Sequence, residues 1–551
     1  MDPYPLTAAA VQLTGPGRLE INRAKAVPKP GPHQILARVE AVGLCFSDKK
    51  LLDQFDTHVR KVPVQRGIDE AILREIPSYV PAGKPTVPGH EASVRIVAKG
   101  EKVKSVEIGK RYLVQADYRA LLTPQSNAAF GYNFEGALQQ YVLLDERVTV
   151  GPDGESHLLP APEDRSASAV ALAEPWACVE DSYTVVERRG FKPAGRALAV
   201  ADAGVNADFA GLPFDACAEL VTIGAARGLP GRAARAAAPA AADGPYDDIV
   251  YAGSNPDVVE SLWPKLAPGG ILNLVLAGGR FPRPVKVPLG GIHYSNLRVA
   301  GTPGPRAVDG YLRVPATGEL PACSVVRVVG AGGPMGMMHV IRALALGGPG
   351  TEVVAVDVSA DRLAALVAKA EPLARRRGLS FRVERAGPDA PPSPPGPAPT
   401  YTVVMAPVPA LVADAISRSA PGGIINLFAG VPVGVEGLVD LDRYIREGLY
   451  LFGTSGSTIE DMRIVLRRIA SGELDTDLSL SAVAGLDGAL DGLEAVKRQS
   501  VAGKIVVYPH LANLGLVPLE KLENVCPAAA ARLRDGVWTR EAEAALVKAF
   551  S

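Results

Sequence analysis

The order of apolar and polar positions divides the chain into a β-rich first third and a longer part of alternating strands and helices. Short apolar runs between glycine and proline recur in the first 188 residues, as at 34–39 and 92–97, and such runs predict strands. Further on, the β-branched run 325–329 leads into a glycine-rich turn, apolar positions at helical spacing, and a second apolar run at 353–356. Strand, turn, helix and strand in this order predict a parallel α/β sheet.

The turn after the first of these strands has the pattern of a dinucleotide-binding loop. Glycine lets the backbone approach a pyrophosphate, and the helix N-terminus offers unpaired N–H groups. The fingerprint fits two registers, with Ala331 in the first glycine position or Met335 in the third. Asp357 ends the next strand. A carboxylate at this position accepts hydrogen bonds from the ribose hydroxyls and repels a 2′-phosphate, so NAD is favoured over NADP. A strand–turn–helix without ligand is the alternative. The predicted cofactor-binding residues of the loop are Gly330, Gly332, Gly333, Pro334, Met335 and Gly336.

Three sequence blocks of the strand-and-helix region occur twice, 152 to 155 positions apart. The related blocks begin at 246 and 401, at 267 and 420, and at 299 and 451. Such repetition indicates an internal duplication. We predict a degenerate Rossmann-like domain at 189–320, which lacks the glycine fingerprint and does not bind dinucleotide, and an NAD-binding Rossmann domain at 321–475. The first copy serves either as a regulatory or substrate-capping domain or, as we favour, as a spacer or oligomer surface.

Composition narrows the class of protein and its surroundings. Of the 551 residues 47% are hydrophobic, and the formal net charge is −1. This balance gives no reason to expect nucleic acid or an anionic membrane as a partner. The five cysteines are scattered and odd in number, which fits a reducing compartment, and the N-terminus shows no signal-peptide pattern, so we expect a cytoplasmic location. The alanine-rich stretch 233–242 and the proline-rich loop 387–397 are low-complexity segments.

The β-rich part also carries a set of metal-ligating side chains. Cys45, His90 and Glu91 supply a thiolate, an imidazole and a carboxylate, and Glu174 supplies a second carboxylate. Each alone is more often a packing or surface residue. Together they offer the three protein ligands that a catalytic zinc needs, with one position left for a hydroxyl.

Three motifs of this region resemble the zinc-dependent medium-chain dehydrogenase/reductase family. They are Gly43-x-Cys45-x-Ser47-Asp48, Gly89-His90-Glu91 and Glu174-Pro175. The sorbitol-dehydrogenase-like branch is closer than the classical alcohol dehydrogenases, and the glycine turn is most similar to the L-sorbose-1-phosphate reductase-like group. The resemblance implies a GroES-like catalytic domain at 1–188, completed by 476–551.

The resemblance also implies the roles of single residues. Cys45, His90 and Glu91 bind zinc, and Glu174 is an exchangeable carboxylate or the third ligand. Ser47 relays the substrate proton, and Asp48 holds a ligand in its orientation. No cysteine lies between Cys45 and Cys178, so we expect one catalytic zinc and no structural zinc. The family also implies a homodimer or homotetramer formed through sheet edges of the cofactor domain.

Two pairs that follow apolar strands are expected near the nicotinamide. In a parallel sheet the carboxyl ends of the strands face the ligand crevice. The pairs are Ala429 with Gly430, and Thr454 with Ser455.

The segment between Asp48 and His90 is longer than the resemblance leads us to expect. Its part at 55–79 contains His58, Arg60, Lys61 and Arg66. Such a basic insertion either grips a phosphate or carboxylate or, as we favour, is a solvated helical excursion. The loop at 131–136 carries Tyr132 and Phe134, which either line a substrate cleft or pack on the core.

We therefore expect a zinc- and NAD(H)-dependent oxidoreductase acting on a secondary alcohol or ketone of a polyol, sugar, cyclitol or sugar phosphate. A redox-neutral epimerase or lyase with tightly bound NAD is one alternative. A non-catalytic NAD-binding scaffold is the other, and the joint presence of Cys45, Ser47, His90, Glu91 and Glu174 argues against it.

Overall fold

The structure is a computed structural model that describes residues 4–230, 234–236, 238–388, 390 and 395–551. Parts of the alanine-rich stretch and of the proline-rich loop lie outside the described residues. The chain forms two compact units, one made of residues 1–178 and 457–551 and the other of residues 179–456. No helix among the described residues is long and apolar enough to cross a bilayer.

The amino-terminal segment is rich in strands, because its apolar residues alternate with polar ones. Its strands are β1 (Thr7–Gly15), β2 (Arg18–Ala26), β3 (Gln34–Leu44), β4 (Glu91–Lys99), β5 (Arg111–Val114), β6 (Asp117–Leu122), β7 (Asn127–Ala129), β8 (Tyr141–Asp145) and β9 (Leu158–Pro160). Its helices are α1 (Phe46–Gln54), α2 (Glu70–Arg74), α3 (Glu146–Thr149) and α4 (Ala167–Thr184).

The next segment corresponds to the first copy of the duplication. Its elements are β10 (Arg196–Ala201), β11 (Glu219–Ile223), β12 (Ala234–Arg235), β13 (Tyr246–Ala252), α5 (Pro256–Leu262), β14 (Leu266–Val275), β15 (Val285–Val287), α6 (Leu289–Tyr294), β16 (Arg298–Thr302) and α7 (Val308–Leu312). Between β10 and β11 the chain has one 3₁₀ turn, Phe214–Ala216, and no α-helix.

In the second copy one helix connects the first strand to the second, and another connects the second strand to the third. Its elements are β17 (Val325–Val329), α8 (Pro334–Leu346), β18 (Glu352–Asp357), α9 (Ala360–Arg377), β19 (Ser380–Arg385), β20 (Tyr401–Val404), α10 (Pro409–Arg418), β21 (Ile424–Leu427), β22 (Gly437–Val439), α11 (Leu441–Arg446) and β23 (Tyr450–Phe452).

The carboxyl-terminal segment returns to the first unit. Its elements are α12 (Ile459–Ser471), β24 (Leu480–Ala484), α13 (Ala489–Arg498), β25 (Lys504–Val507), β26 (Val517–Pro518), α14 (Pro527–Ala530) and α15 (Arg540–Phe550). Strands β24, β25 and β26 join the sheet of the amino-terminal segment in the order β26-β24-β25-β3-β4-β5-β9, with β8 also paired to β3. Strand β25 therefore lies beside β3, although most of the chain separates them in sequence.

The two copies form parallel six-stranded sheets with one topology. The first sheet has the order β12-β11-β10-β13-β14-β16, and the second has the order β19-β18-β17-β20-β21-β23. Counted within each copy this is 3-2-1-4-5-6, the order of a dinucleotide-binding sheet. The predicted fold class, a β-rich GroES-like part with two Rossmann-like parallel sheets, is confirmed.

Candidate metal and cofactor sites

Cys45 lies where a central strand turns into a helix. Strand β3 ends at Leu44, and Cys45 is the N-cap of α1, whose first residue is Phe46. The backbone thus places the sulfur at the point where β3 ends and α1 begins.

Strand pairing brings the His-Glu pair to the same end of the sheet. Strand β4 begins at Glu91, and Glu91 lies directly opposite Gly43 on β3. Among the described residues, ligand atoms of Cys45, His90 and Glu91 all lie within 4.8 Å of one another. Cys45 is half-buried, and the other two residues are buried. The three predicted metal ligands are thus brought together.

A buried carboxylate fixes the orientation of the imidazole. Asp48, 1% exposed, lies 3.2 Å from His90 Nδ1 through its Oδ1 and also accepts hydrogen bonds from the backbone N–H groups of Cys45 and Gly89. Burial lowers the pKa of His90, but the Asp48 carboxylate outweighs this and the net shift is upward. A proton on Nδ1, shared with Asp48, leaves Nε2 as the nitrogen for a metal.

The Ser47 hydroxyl lies against two of the candidate ligand atoms. Its Oγ donates to Cys45 Sγ at 2.9 Å and lies 3.3 Å from His90 Nε2. A hydroxyl in this place can exchange a proton with a group bound at the metal. This geometry fits the relay that the family resemblance implies for Ser47.

Glu91 is held by a lysine that the sequence motifs did not reveal. Lys504 at the start of β25 donates from Nζ to Glu91 Oε1 at 2.5 Å, and both side chains are buried. The carboxylate reaches across Gly43 on the intervening strand, since a Cβ there would lie 2.1 Å from Glu91 Oε2. Glycine at position 43 is therefore required by this close approach.

The donor set fits a zinc ion. Glu91 Oε2 is buried and has no hydrogen-bond partner among the described residues, and an orphaned buried oxygen costs free energy unless something pairs with it. Sulfur, nitrogen and oxygen at one site match the ligand preference of Zn²⁺. Cys45, His90 and Glu91 Oε2 would hold the ion, and Lys504 would keep Glu91 Oε1 occupied.

Glu174 lies near this group but is not one of the three. It is on α4, and its half-buried carboxyl is sensitive to the charges of His90 and Glu91. Burial raises the pKa of Glu174 to about 7, with further upward contributions from Glu91 and Asp117. Its predicted role as an exchangeable ligand stays a prediction.

The favoured prediction for the basic insertion, a solvated helix, is wrong for its first half. Lys61 is fully buried and donates to the backbone carbonyls of Val80, Ala82 and Lys84. Burial lowers the pKa of Lys61 to about 7. Three carbonyl acceptors use the full donor capacity of an ammonium group, so Lys61 serves to fix the loop.

Arg60 of the insertion instead belongs to a cluster beside the candidate ligands. Its guanidinium forms an ion pair with Asp117 and lies 5.9 Å from the ring centroid of Tyr132. The Tyr132 ring is 5.8 Å from the His90 ring and 4.9 Å from the His58 ring. Tyr132 and Phe134 are both 4% exposed, so the aromatic loop packs on the core. The basic composition of the long insertion was the one sequence signal for this cluster.

The second copy resolves which register the glycine fingerprint takes. A Cβ on Gly336 would lie 2.3 Å from the Gly330 carbonyl oxygen and 2.8 Å from Ala331 Cα. Gly336 therefore supplies the close contact between helix and strand that the third glycine provides. Gly333 is the N-cap of α8 and Pro334 its first residue. The register is Ala331, Gly333 and Gly336, and Met335 is a residue of the first helical turn.

Asp357 is positioned at the end of β18 as a ribose-binding carboxylate requires. Its Oδ2 accepts from the Gly332 N–H at 2.9 Å, and its Oδ1 accepts from the Ser359 N–H at 2.9 Å. The side chain of Arg362 lies 3.5 Å away. These contacts tie the acid to the glycine loop.

The two predicted nicotinamide-side pairs follow β21 and β23. Both strands end at the same edge of the parallel sheet as the glycine loop. Thr454 Oγ1 is buried without a hydrogen-bond partner among the described residues. An unpaired polar atom at this edge fits a cofactor contact, as the glycine loop and Asp357 do. Ala429, Gly430 and Ser455 stay predictions.

The first copy lacks these features at the equivalent positions. Strand pairing makes Ala201 the counterpart of Gly330 and Gly224 the counterpart of Asp357. The predicted ribose-binding acid is therefore replaced by glycine, and no α-helix lies between β10 and β11, whose connecting residues are all described. The absence of a dinucleotide site from the first copy stays a prediction.

Comparison with known proteins assigns the class. Residues 31–152 match the alcohol dehydrogenase GroES-like domain, a segment that contains Cys45, Ser47, Asp48, His90 and Glu91. This match and the parallel-sheet fold confirm the predicted resemblance to the medium-chain dehydrogenase/reductase family. The closer placement in a sorbitol or sorbose-phosphate branch stays a prediction.

Particular relatives are similar over part of the sequence or in fold. Alcohol dehydrogenase 1 of Emericella nidulans (strain FGSC A4) is 28% identical over 193 residues, which are 32% of this chain and 44% of that protein. The chain thus matches less than half of that relative. 2R,3R-butanediol dehydrogenase from Bacillus subtilis aligns with a TM-score of 0.52 at 16% identity, over 91% of this chain and 100% of that one. A protein of Sinorhizobium meliloti 1021 assigned as a zinc-binding dehydrogenase, bound to NADP, aligns with a TM-score of 0.50 at 16% identity, over 91% and 99%.

Proposed function

We propose that the protein is a zinc- and NAD(H)-dependent dehydrogenase of a secondary alcohol in a polyol, sugar or cyclitol. The observation that carries the proposal is the grouping of Cys45, His90 and Glu91, with the Ser47 hydroxyl in hydrogen-bond contact with two of them. A metal-binding group with an adjacent hydroxyl is suited to alcohol oxidation, because the alcohol must lose a proton as it loses hydride.

The roles of the residues follow from their contacts. Bound zinc supplies Lewis acidity, which lowers the pKa of a coordinated hydroxyl, and NAD supplies the hydride acceptor. Asp48 keeps His90 Nε2 directed at the metal position through its contact with Nδ1. Ser47 Oγ takes up the substrate proton and passes it on. Lys504 holds Glu91 Oε1, so that Oε2 remains the coordinating atom.

The cluster of Arg60 and Asp117 supports a neutral polyhydroxyl substrate over a phosphorylated one. Arg60 lies beside the Tyr132 ring, which lies beside the His90 ring, and Asp117 already neutralises the charge of Arg60. A charge-neutral pair with both donors and acceptors suits hydroxyl groups, whereas a phosphate needs uncompensated positive charge. Asp117 is 14% and Arg60 31% exposed at the side chain, so both retain accessible surface.

Replacing Asp117 with alanine should reverse this preference. The change leaves the Arg60 charge unpaired, so we expect kcat/KM for neutral polyols to fall about tenfold and that for sugar phosphates to rise, since one charge-assisted hydrogen bond is worth about 1.5–3 kcal/mol. Steady-state kinetics on both substrate classes measures the effect. Asp153→Ala, which removes an exposed carboxylate of the same unit, is the control. An equal loss for both classes would contradict the recognition role of Asp117.

Asp357 should set the choice of cofactor. Asp357→Ser removes a charged acceptor for the ribose hydroxyls, and we expect NADH binding to weaken about tenfold or more while NADPH binding improves. Fluorescence titration with each dinucleotide measures the ratio. Asp361→Asn changes an exposed acid in the first turn of the neighbouring helix and should leave the ratio unchanged. Undiminished preference for NADH in the Asp357 variant would oppose the proposal.

NADH fluorescence tests the proposed reaction directly. The zinc-loaded protein is mixed with polyols, cyclitols and sugar phosphates, with and without added NAD, beside a Cys45→Ser variant. We expect NADH to accumulate with added NAD and not in the variant. A burst no larger than the protein concentration, independent of added NAD, would favour the redox-neutral reaction with bound cofactor. If the protein fails to retain zinc and no NADH signal forms with any substrate, the non-catalytic scaffold would be favoured.

We propose a cytoplasmic location and a small-molecule substrate. The five cysteines are at scattered positions and none forms a disulfide in the described part of the chain, which suits a reducing compartment.

A further inference from the structure

The two Rossmann-like copies pack on each other through equivalent surfaces. Strands β16 and β23, the last strands of the two sheets, are in contact. One hydrophobic core includes buried residues of both copies, such as Leu272 and Leu274 of the first and Ile425 and Leu427 of the second. A shared core of this kind is typical of obligate interfaces.

The pairing of β15 with β22 has the symmetry of a two-fold contact. Val285 pairs with Val439, Lys286 with Leu438, and Val287 with Gly437. Positions 285, 286 and 287 are equivalent to 437, 438 and 439 by the repeat offset of 152. Val285 pairs with the equivalent of Val287, and Val287 pairs with the equivalent of Val285, while Lys286 pairs with its own equivalent, Leu438. This reciprocity defines an isologous interface.

Two glycines repeat the same contact on either side of the axis. A Cβ on Gly301 would lie 2.9 Å from Ile445 Cγ1 and 2.9 Å from the Leu274 carbonyl oxygen. A Cβ on Gly453 would lie 3.1 Å from His293 Cα and 2.8 Å from the Leu427 carbonyl oxygen. The offset of 152 relates Gly301 to Gly453 and His293 to Ile445, and the offset of 153 in the block that begins at 267 and 420 relates Leu274 to Leu427. The pseudo-two-fold relation thus extends through the packed interface.

Hydrogen bonds near the pseudo-two-fold axis involve side chains that differ between the two copies. The Tyr444 hydroxyl donates to the Val299 carbonyl and accepts from the Leu451 N–H, at equivalent positions of β16 and β23. Glu187 accepts from Arg298 and from Tyr450, which are also equivalent positions.

One buried carboxylate between an arginine and a tyrosine suits two different copies. Two identical copies would carry the same side chain at the positions of Arg298 and Tyr450, whereas Glu187 bonds to an arginine of one copy and a tyrosine of the other. The contacts of Glu187 are therefore those of an interface adapted within one chain.

We propose that residues 189–320 are a built-in partner domain. This copy has no nucleotide site and covers, within the same chain, the edge at β22 and β23 through which a second copy of the chain would otherwise bind. The chain therefore has one cofactor site and does not dimerise through this edge. The first copy closes the route to a homodimer that the family resemblance implied.

Cross-linking at the centre of the pairing tests the proposal. Lys286 and Leu438 are both exposed, and directly opposite residues on antiparallel strands have Cα atoms about 4.5–5.5 Å apart. The full chain is prepared as Lys286→Cys, as Leu438→Cys and as the double variant, and each is treated with a short bis-maleimide. The parent chain, treated in the same way, accounts for the native thiols.

The single Leu438→Cys variant distinguishes pairing within one chain from pairing between two chains. If two chains met at this edge with the same symmetry, position 438 would face itself, and the variant would give a two-chain product. We expect no two-chain product above the parent level, and a one-chain internal link in most molecules of the double variant. A two-chain product with Leu438→Cys, or failure of the double variant to link internally, would overturn the proposal.

Discussion

Replacing Cys45 with alanine should remove zinc from the protein and turnover with it. Cys45 Sγ is one of three candidate ligand atoms that lie within 4.8 Å of one another. Loss of a residue that only orients a ligand weakens metal binding by roughly 10- to 100-fold, so loss of a ligand should exceed about 100-fold. Without the Lewis acid, several kcal/mol of stabilisation are lost, and we expect kcat to fall about a thousandfold. Metal analysis after dialysis and NADH formation measure both effects.

Cys178→Ala is the matched control for this substitution. Cys178 is on α4, one turn after Glu174, and burial raises the pKa of its thiol well above the usual range. A thiol that resists ionisation is a poor metal ligand, so this variant should keep its zinc. Full zinc content in the Cys45 variant, or equal loss in both, would contradict the assignment of Cys45.

Replacing Lys504 with methionine should strongly destabilise the unit that carries the site. Glu91 and Lys504 have side chains 0% and 4% exposed, and removing one partner of a buried pair costs about 3–5 kcal/mol, because the other charge stays buried. Zinc should recover part of this loss, since a cation at Oε2 compensates the carboxylate and ligand binding stabilises the folded state. Chemical denaturation with and without zinc measures the difference.

The fluorescence readout can be restricted to that unit. The chain has three tryptophans; Trp176 and Trp538 lie in the unit with the site and Trp263 lies in the other. In a Trp263→Phe background, fluorescence therefore reports the relevant unfolding. Lys497→Met removes an exposed lysine whose contact to Glu494 is 3.8 Å and should cost at most about 0.5 kcal/mol. A similar small effect for Lys504 would show that Glu91 does not depend on it.

Local sequence patterns predicted the elements and most of the candidate site. The run that ends in Gly330, the acid at Asp357 and the motif from Gly43 to Asp48 each act within a few residues of backbone. Strand propensity, glycine flexibility and helix capping operate at that range. The duplication was also legible, since its repeated blocks lie at nearly constant offsets.

The burial and contacts of the basic side chains in the insertion could not be predicted from its composition. Lys61 and Arg60 are adjacent in sequence, yet one is bound by three backbone carbonyls and the other pairs with Asp117. The difference depends on which segments fold over each side chain. Charge and spacing carry no information about those neighbours.

The sequence by itself determined the fold class, the candidate metal-binding residues and the position of the candidate nucleotide loop, because each rests on a local pattern. The tertiary structure alone decided that Lys504 supports Glu91. These residues are 413 positions apart in the sequence, and the pairing of β25 with β3 brings them together. The tertiary structure likewise decided that Gly336 takes the third glycine position and that the two copies meet about a pseudo-two-fold axis. Contacts between distant segments depend on strand order and register, and these are set by packing of the whole sheet.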